Sequence, residues 1–317
     1  MESNWGEIFK FYAEDRNRQY VSSRLAPAIE SLTSGMEWED KQRWLRIQDE
    51  HKYRGVRLLK SNSKYKVLKV EEDSPLVDIT YRVHISWLIE HNGITYTEEW
   101  VEDRSCLLKQ TQGWAVVNDV RLNKDDGYSL SEIQKLPSRI HELTTDIKTL
   151  RNGSPYDRGK AVQYAELWWN DYNPQFEEFD VDCTNFVSQC MWAGNAPMRH
   201  ASREKGWWYK FGGSPNWSFS WSVAHALRLY LGSSQSGLRA TEVFSADQLE
   251  PGDIICYDFD GDGRFQHNTI VVMKDGEGMP LVNAHTTNSR HRYWSYTDSH
   301  AWTEQVEYRF FRIVNYF

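Results

Sequence analysis

No stretch of this 317-residue sequence is apolar for long enough to cross a membrane, and the mean hydropathy is −0.70. A surplus of basic charge is also missing. Against 37 Lys and Arg stand 45 Asp and Glu, a formal charge of −8, so neither nucleic acid nor an anionic membrane is an expected partner. Cysteine is scarce, and Cys106, Cys183, Cys190 and Cys256 include no CxxC pair. That excludes a disulfide scaffold and argues against a structural zinc site. The opening Met1-Glu2-Ser3-Asn4-Trp5-Gly6-Glu7 has no basic-then-apolar run of the kind an export signal carries, and a cytoplasmic location is expected. Internal repeats and low-complexity tracts are absent too. Aromatic residues are plentiful at 14%, including 15 Trp, which is enough to fill a sizeable core.

Residues 5–50 are polar and helix-permissive, with Trp5, Phe9, Tyr12 and Ala13 at helical spacing and a second helix expected around Trp38 and residues 43–47. From Gly55 the texture changes to β-branched and aromatic runs at 56–59, 65–70, 77–85, 95–101 and 114–120, several alternating with period two. Helices followed by a curved antiparallel sheet make an α+β module of residues 1–122. Its histidines, His51, His84 and His91, stand alone and carry no chemistry; neither does His141 in the polar connector expected over 123–153. The remainder, 154–317, holds the candidate site.

There the segment Asp180-Val181-Asp182-Cys183-Thr184-Asn185-Phe186-Val187-Ser188-Gln189-Cys190-Met191 places Phe186, Val187, Cys190 and Met191 on one apolar helical stripe. Asp182 is the expected N-cap, so Cys183 falls in the first turn. A thiol there meets the free N–H groups and positive end of the helix, which favour thiolate and can hold an oxyanion. Cys190, two turns on, lies on the packed stripe and reads as inert. A preceding helix over 156–170 is ended by Asn173-Pro174. Further on, a turn at 249–253, a strand at 254–258, a Gly-rich turn at 260–263, a strand from His267 to Met273, a turn at 275–278 and a strand running up to His285 form a β-meander. Its antiparallel order can bring His267, at one strand's start, beside His285, at its neighbour's end, so that one histidine orients the other.

The run Asp182 to Gln189, with Gly252-Asp253-Ile254-Ile255 and His267-Asn268-Thr269-Ile270-Val271 after it, resembles the putative amidase domain family, which is related to the NlpC/P60 and CHAP cysteine hydrolases. The likeness covers about residues 155–315. It implies a papain-like α+β core with the nucleophile helix packed on an antiparallel sheet, and the roles of Cys183 as nucleophile, His267 as base and later acid, and His285 as the polar orienting residue. Such relatives cleave amide bonds, often in cell-wall peptides, so the partner implied is a peptide or amide substrate, peptidoglycan-derived material included, and no cofactor is called for. An upstream polar group often completes their oxyanion hole; Tyr156, Tyr164 and Asn173 are eligible. Two alternatives stay open: an acyl or amide transferase of the same fold, and a catalytically silent binding module.

Other features are read more plainly. Asp258, Asp260 and Asp262 occupy alternate ligand positions of a calcium loop, with Gly263 next, but Thr269 stands where a bidentate Glu is needed. A hairpin turn is the favoured reading, a weak cation site the other. Most of Trp168, Trp169, Trp192, Trp207, Trp208, Trp217 and Trp221 are expected in the core, with the loop 206–220 as a candidate substrate groove. His291 and His300 are expected at the surface, His225 in packing, and Asp253 in a turn hydrogen bond.

Overall fold

The structure, a computed structural model, describes residues 4–21, 38–122, 154–212 and 216–317. The expected connector over 123–153 and residues 213–215 of the candidate groove lie outside them. The chain forms two compact units, Met1–Asn123 with Thr297–His300, and Lys124–Tyr296 with Ala301–Phe317. Among the described residues no helix is long and apolar enough to cross a membrane.

The first unit contains α1 (Trp5–Val21), α2 (Trp38–Arg54) and the antiparallel strands β1 (Arg57–Asp73), β2 (Leu76–His91), β3 (Ile94–Gln110) and β4 (Trp114–Arg121), paired in that order. Where two short strands were expected, at 56–59 and 65–70, β1 is continuous. Its polar Ser61-Asn62-Ser63 stretch stays in the ladder opposite Trp87, Ser86 and Ile85, and Ser61 is buried with its hydroxyl donating to Asn17 at 2.7 Å. Strand β2 alternates cleanly, turning Val77, Ile79, Tyr81, Val83, Ile85, Trp87 and Ile89 inward. The inner face of β3 also carries charge. Arg104 is 1% exposed and donates to Asp40 at 2.6 Å, Glu102 at 2.9 Å and Asp119 at 3.1 Å, while Arg43 meets Glu102 at 2.8 Å and Arg16 meets Asp119. Buried charges persist only when paired in this way.

The second unit is built on a six-stranded antiparallel sheet in the order β11 (Ser289–Tyr293), β10 (Pro280–Ala284), β9 (His267–Lys274), β8 (Ile254–Asp258), β12 (Glu307–Ile313), β7 (Ala240–Val243). Strands β5 (Tyr209–Lys210) and β6 (Asn216–Trp217) form a separate small ribbon. Both faces of the main sheet are covered, which is why β8 and most of β9 read as unbroken apolar runs rather than alternating ones. On one face Ile254, Cys256, Ile270 and Val272 join the core made by α3 (Arg158–Trp168), α4 (Cys183–Ala193), α5 (Phe219–Ser222) and α6 (Ala224–Ser233). On the other, Ile255, Tyr257, Val271, Val282 and Ala284 pack with Phe259, Tyr296 and Phe310.

Helix α3 is N-capped by Asp157, whose side chain accepts from the Lys160 N–H at 3.0 Å. Helix α4 ends at Gly194, where a Cβ would come within 2.5 Å of the Tyr156 ring and 3.0 Å of Ala161, so only glycine lets the two helices approach this closely. Asp253 makes the expected turn contact, accepting from the Glu250 N–H at 2.8 Å, and also receives Arg158 at 2.6 Å.

Candidate active site

Helix α4 is enclosed over its first nine residues. All residues from Cys183 to Met191 are buried, so where a one-sided apolar stripe was expected the helix is buried all round up to Met191. Its polar side chains survive there because each has a partner. Asn185 donates to Asp182 and to the Glu177 carbonyl, both at 2.8 Å, and accepts from the Trp221 indole at 2.8 Å. Ser188 accepts from the Trp207 indole at 3.1 Å, Gln189 from the Tyr164 hydroxyl at 2.6 Å, and Thr184 from the Asn268 amide at 3.0 Å.

Cys183 opens this helix as expected, and it is 1% exposed. Burial pushes its thiol up, and the charge of Asp182 adds to that; the Asn268 N–H, the Thr184 hydroxyl and the Thr184 N–H pull the other way without prevailing. The helix start therefore does not by itself produce a thiolate in the resting site, because desolvation of the charged form outweighs the donors. Cys106, Cys190 and Cys256 are likewise free and buried, and burial raises the thiols of all three.

Asp182 stands at the N-cap position, but its carboxylate makes no capping hydrogen bond. One oxygen accepts from the Phe179 N–H at 3.3 Å and from Asn185. The other lies 2.7 Å from Nδ1 of His285. Nε2 of His285 is 2.7 Å from the carbonyl of Trp168, the last residue of α3, and the imidazole stacks on Phe186 at 4.1 Å. A carbonyl can only accept, so Nε2 carries the hydrogen of that contact, and Nδ1 faces the Asp182 carboxylate. The expectation that His285 fixes the His267 ring is corrected accordingly. Its nitrogens are held by Asp182 and Trp168, so it fixes the residue preceding Cys183.

His267 is the first residue of β9 and is buried, with its ring among Tyr257 at 5.6 Å, Phe259 at 6.2 Å and Tyr296 at 5.1 Å. Its neighbour Asn268 directs its side chain to Thr184 on α4, and its N–H faces the Cys183 sulfur. Strand alternation thus turns Asn268 toward the helix and His267 toward the aromatic face. The structure joins His285 to Asp182 and β9 to the thiol; the aromatic cage is what it places around the His267 ring.

Two groups with no local sequence signal shape the site. Glu166, in the last turn of α3, receives Asn283 at 2.9 Å, Arg290 at 2.6 Å and His291 at 3.0 Å, tying β10 and β11 to the helix that holds His285. His291, expected at the surface, is drawn in by this carboxylate, and His300 faces Asp40 at 3.4 Å. Burial alone would push the Glu166 carboxyl up, but the hydrogen bonds and charges of His291 and Arg290 outweigh it and bring it from its ordinary 4.5 to about 2. A carboxyl depressed on folding contributes stability above its unfolded value that is lost as pH falls through its folded one. Glu166→Gln is therefore expected to cost about 2 kcal/mol of unfolding free energy at pH 7. That difference should shrink between pH 4.5 and pH 2, as read by urea titration at a series of pH values.

The eligible oxyanion side chains are all engaged elsewhere. Tyr156 donates to the Gly252 carbonyl at 2.8 Å, Tyr164 to Gln189, and Asn173 to Tyr164 at 2.9 Å. In the Asp-rich loop, Asp258 accepts from the Gly261 and Gly263 N–H groups at 2.9 and 2.7 Å, Asp262 from Arg264 and Asp260 from Gln266. Those are turn contacts, and among the described residues no three His, Cys, Asp or Glu gather as metal ligands. Of the seven tryptophans considered above, Trp169, Trp207, Trp208 and Trp221 are buried, whereas Trp192 is 36% exposed.

Residues 155–311 match the family described as Putative amidase domain. Over 274 residues, 83% of this chain and 83% of the other, the sequence is 43% identical to "Uncharacterized protein YhbB" of Bacillus subtilis (strain 168). No solved structure matches.

Proposed function

The chain belongs to the putative amidase domain family, and from that premise we propose that its second unit hydrolyses an amide bond through a cysteine nucleophile on a papain-like core of the NlpC/P60 and CHAP kind. The observation that carries this reading is the thiol of Cys183 at the first residue of a buried helix start, with the Thr184 hydroxyl 3.7 Å from its sulfur. A thiol that burial keeps protonated at rest suits a mechanism in which the base takes its proton as attack occurs. The sulfur of Cys183 adds to the amide carbonyl, and its proton passes to His267, whose imidazole must turn from the aromatic face of β9 toward the sulfur to receive it. Helix-start N–H groups hold the oxyanion. The C–N bond then breaks as His267 gives that proton to the leaving amine. Water, deprotonated by His267, releases the acyl group, and the proton returns to the sulfur. His285 acts through Asp182, keeping the start of α4 in place. The substrate class is a peptide or other amide, cell-wall peptides included.

The test is capture of the acyl group. After brief incubation with muropeptides and with chromogenic amino-acid anilides, acid quench and peptide mass spectrometry should find an acyl adduct on Cys183 alone, with Cys106, Cys190 and Cys256 unmodified. A thiol this buried also fits a domain that keeps the fold as a binding module, and bound substrate with no adduct and no turnover would select that second reading. Transfer of the acyl group to added amine in preference to water would make the protein a transferase.

A further inference from the structure

Beside the sulfur of Cys183 lie two polar side chains that the catalytic cycle above does not use. Asn268, the second residue of β9, donates from Nδ2 to Thr184 Oγ1 at 3.0 Å. Thr184 Oγ1 is in turn 3.7 Å from Cys183 Sγ, within reach of an O–H···S hydrogen bond. A hydroxyl oxygen that accepts from an amide keeps its own hydrogen free to donate, and the sulfur is the neighbour in range. All three residues are at most 1% exposed, so water does not compete for these contacts.

We propose that Asn268 and Thr184 form a hydrogen-bond relay, amide to hydroxyl to sulfur, that stabilises the thiolate of Cys183 as it forms. The proposal rests on the reading of Cys183 as nucleophile and adds two positioning residues to it. The direction of the relay follows from the amide's orientation. As it stands, Asn268 Oδ1 is buried with no hydrogen-bond partner. Turning the amide over would set Oδ1 on Thr184 and draw the hydroxyl hydrogen away from the sulfur. With Nδ2 toward Thr184, as the structure has it, the hydroxyl hydrogen is left for the sulfur. Residues 84 apart in sequence are thereby tied across α4 and β9 at the atom that reacts. A tie that served packing alone would have no reason to end on that atom.

The relay is tested by the pH dependence of Cys183 alkylation. Iodoacetamide labelling of the folded protein, followed by peptide mass spectrometry between pH 6 and 11, reads thiolate at Cys183 with the other three cysteines as internal references. Thr184→Val keeps the shape and removes the hydroxyl; its inflection should move up by about half a pH unit or more, at least a threefold lower thiolate fraction at fixed pH. Thr184→Ser should match the parent. Asn268→Leu should shift in the same direction, and the double variant no further than Thr184→Val, since a broken chain cannot be broken twice. An unchanged inflection in Thr184→Val, an additive double variant, or a Cys183 that stays unlabelled throughout would overturn the relay. Alkylation reads the thiol and not turnover, so amide hydrolysis surviving in Cys183→Ala would remove the catalytic reading without deciding the relay.

Discussion

Cys183→Ala is expected to lower amide turnover by roughly 10³-fold or more while leaving the melting temperature nearly unchanged. The size follows from the proposed chemistry, because removing the sulfur removes the covalent intermediate altogether and leaves only binding and whatever oxyanion stabilisation the helix start supplies. The small stability effect follows from volume, since a single buried sulfur is lost and the hydrogen bonds of Asn185, Ser188 and Gln189 that hold α4 do not involve it. Cys190→Ala supplies the contrast. Cys190 lies on α4 itself, two turns on from Cys183 and packed in the core, so its loss should cost packing, about 1 kcal/mol, and keep most of the activity. The check is kcat/KM on a substrate found by the adduct screen, beside thermal melts of both variants. Cys183→Ala retaining a tenth of parental turnover would be incompatible with a thiol nucleophile.

What the sequence disclosed and what it concealed divide along a physical line. The start of α4 was legible because an Asp-Cys pair before an apolar run is a local signal, and the β8–β9–β10 meander because its turns are written in Gly, Asp and Pro. Contacts whose partners are far apart left no such trace. Asp182 looked like a cap because caps are local, whereas its actual partner is His285, 103 residues on. Glu166 sits between Ala165 and Leu167 with nothing to distinguish it from an exposed helical carboxylate, and only the fold brings Arg290 and His291 to it. Ser188 and Gln189 fall outside the apolar stripe that the spacing predicts, because periodicity sorts residues by polarity and cannot see a hydrogen-bond partner waiting inside. The Ser61-Asn62-Ser63 stretch read as a break for the same reason: strand propensity is weak there, and a full ladder to β2 overrides it.

The second large effect is expected at Asp182. Its carboxylate is 1% exposed and meets His285, Asn185 and the Phe179 N–H at once, so Asp182→Ala takes the partner from all three and should cost about 3–5 kcal/mol in urea unfolding. Asp182→Asn is the more informative substitution, because it separates two roles that act on the thiol in opposite directions. The charge of Asp182 helps to raise the Cys183 thiol, so replacing it with a neutral amide should move the alkylation inflection down. The amide cannot reproduce the contact with His285 on the terms of a carboxylate, so the start of α4 is held less firmly and turnover should fall. A more acidic nucleophile in a slower enzyme is the combined result expected, and it distinguishes positioning from electrostatics: if the carboxylate served mainly to tune the thiol, thiolate fraction and turnover would change together. A double-mutant cycle with His285→Ala completes the argument, since two residues joined at 2.7 Å should show strongly non-additive losses, and additive ones would dissolve the pair.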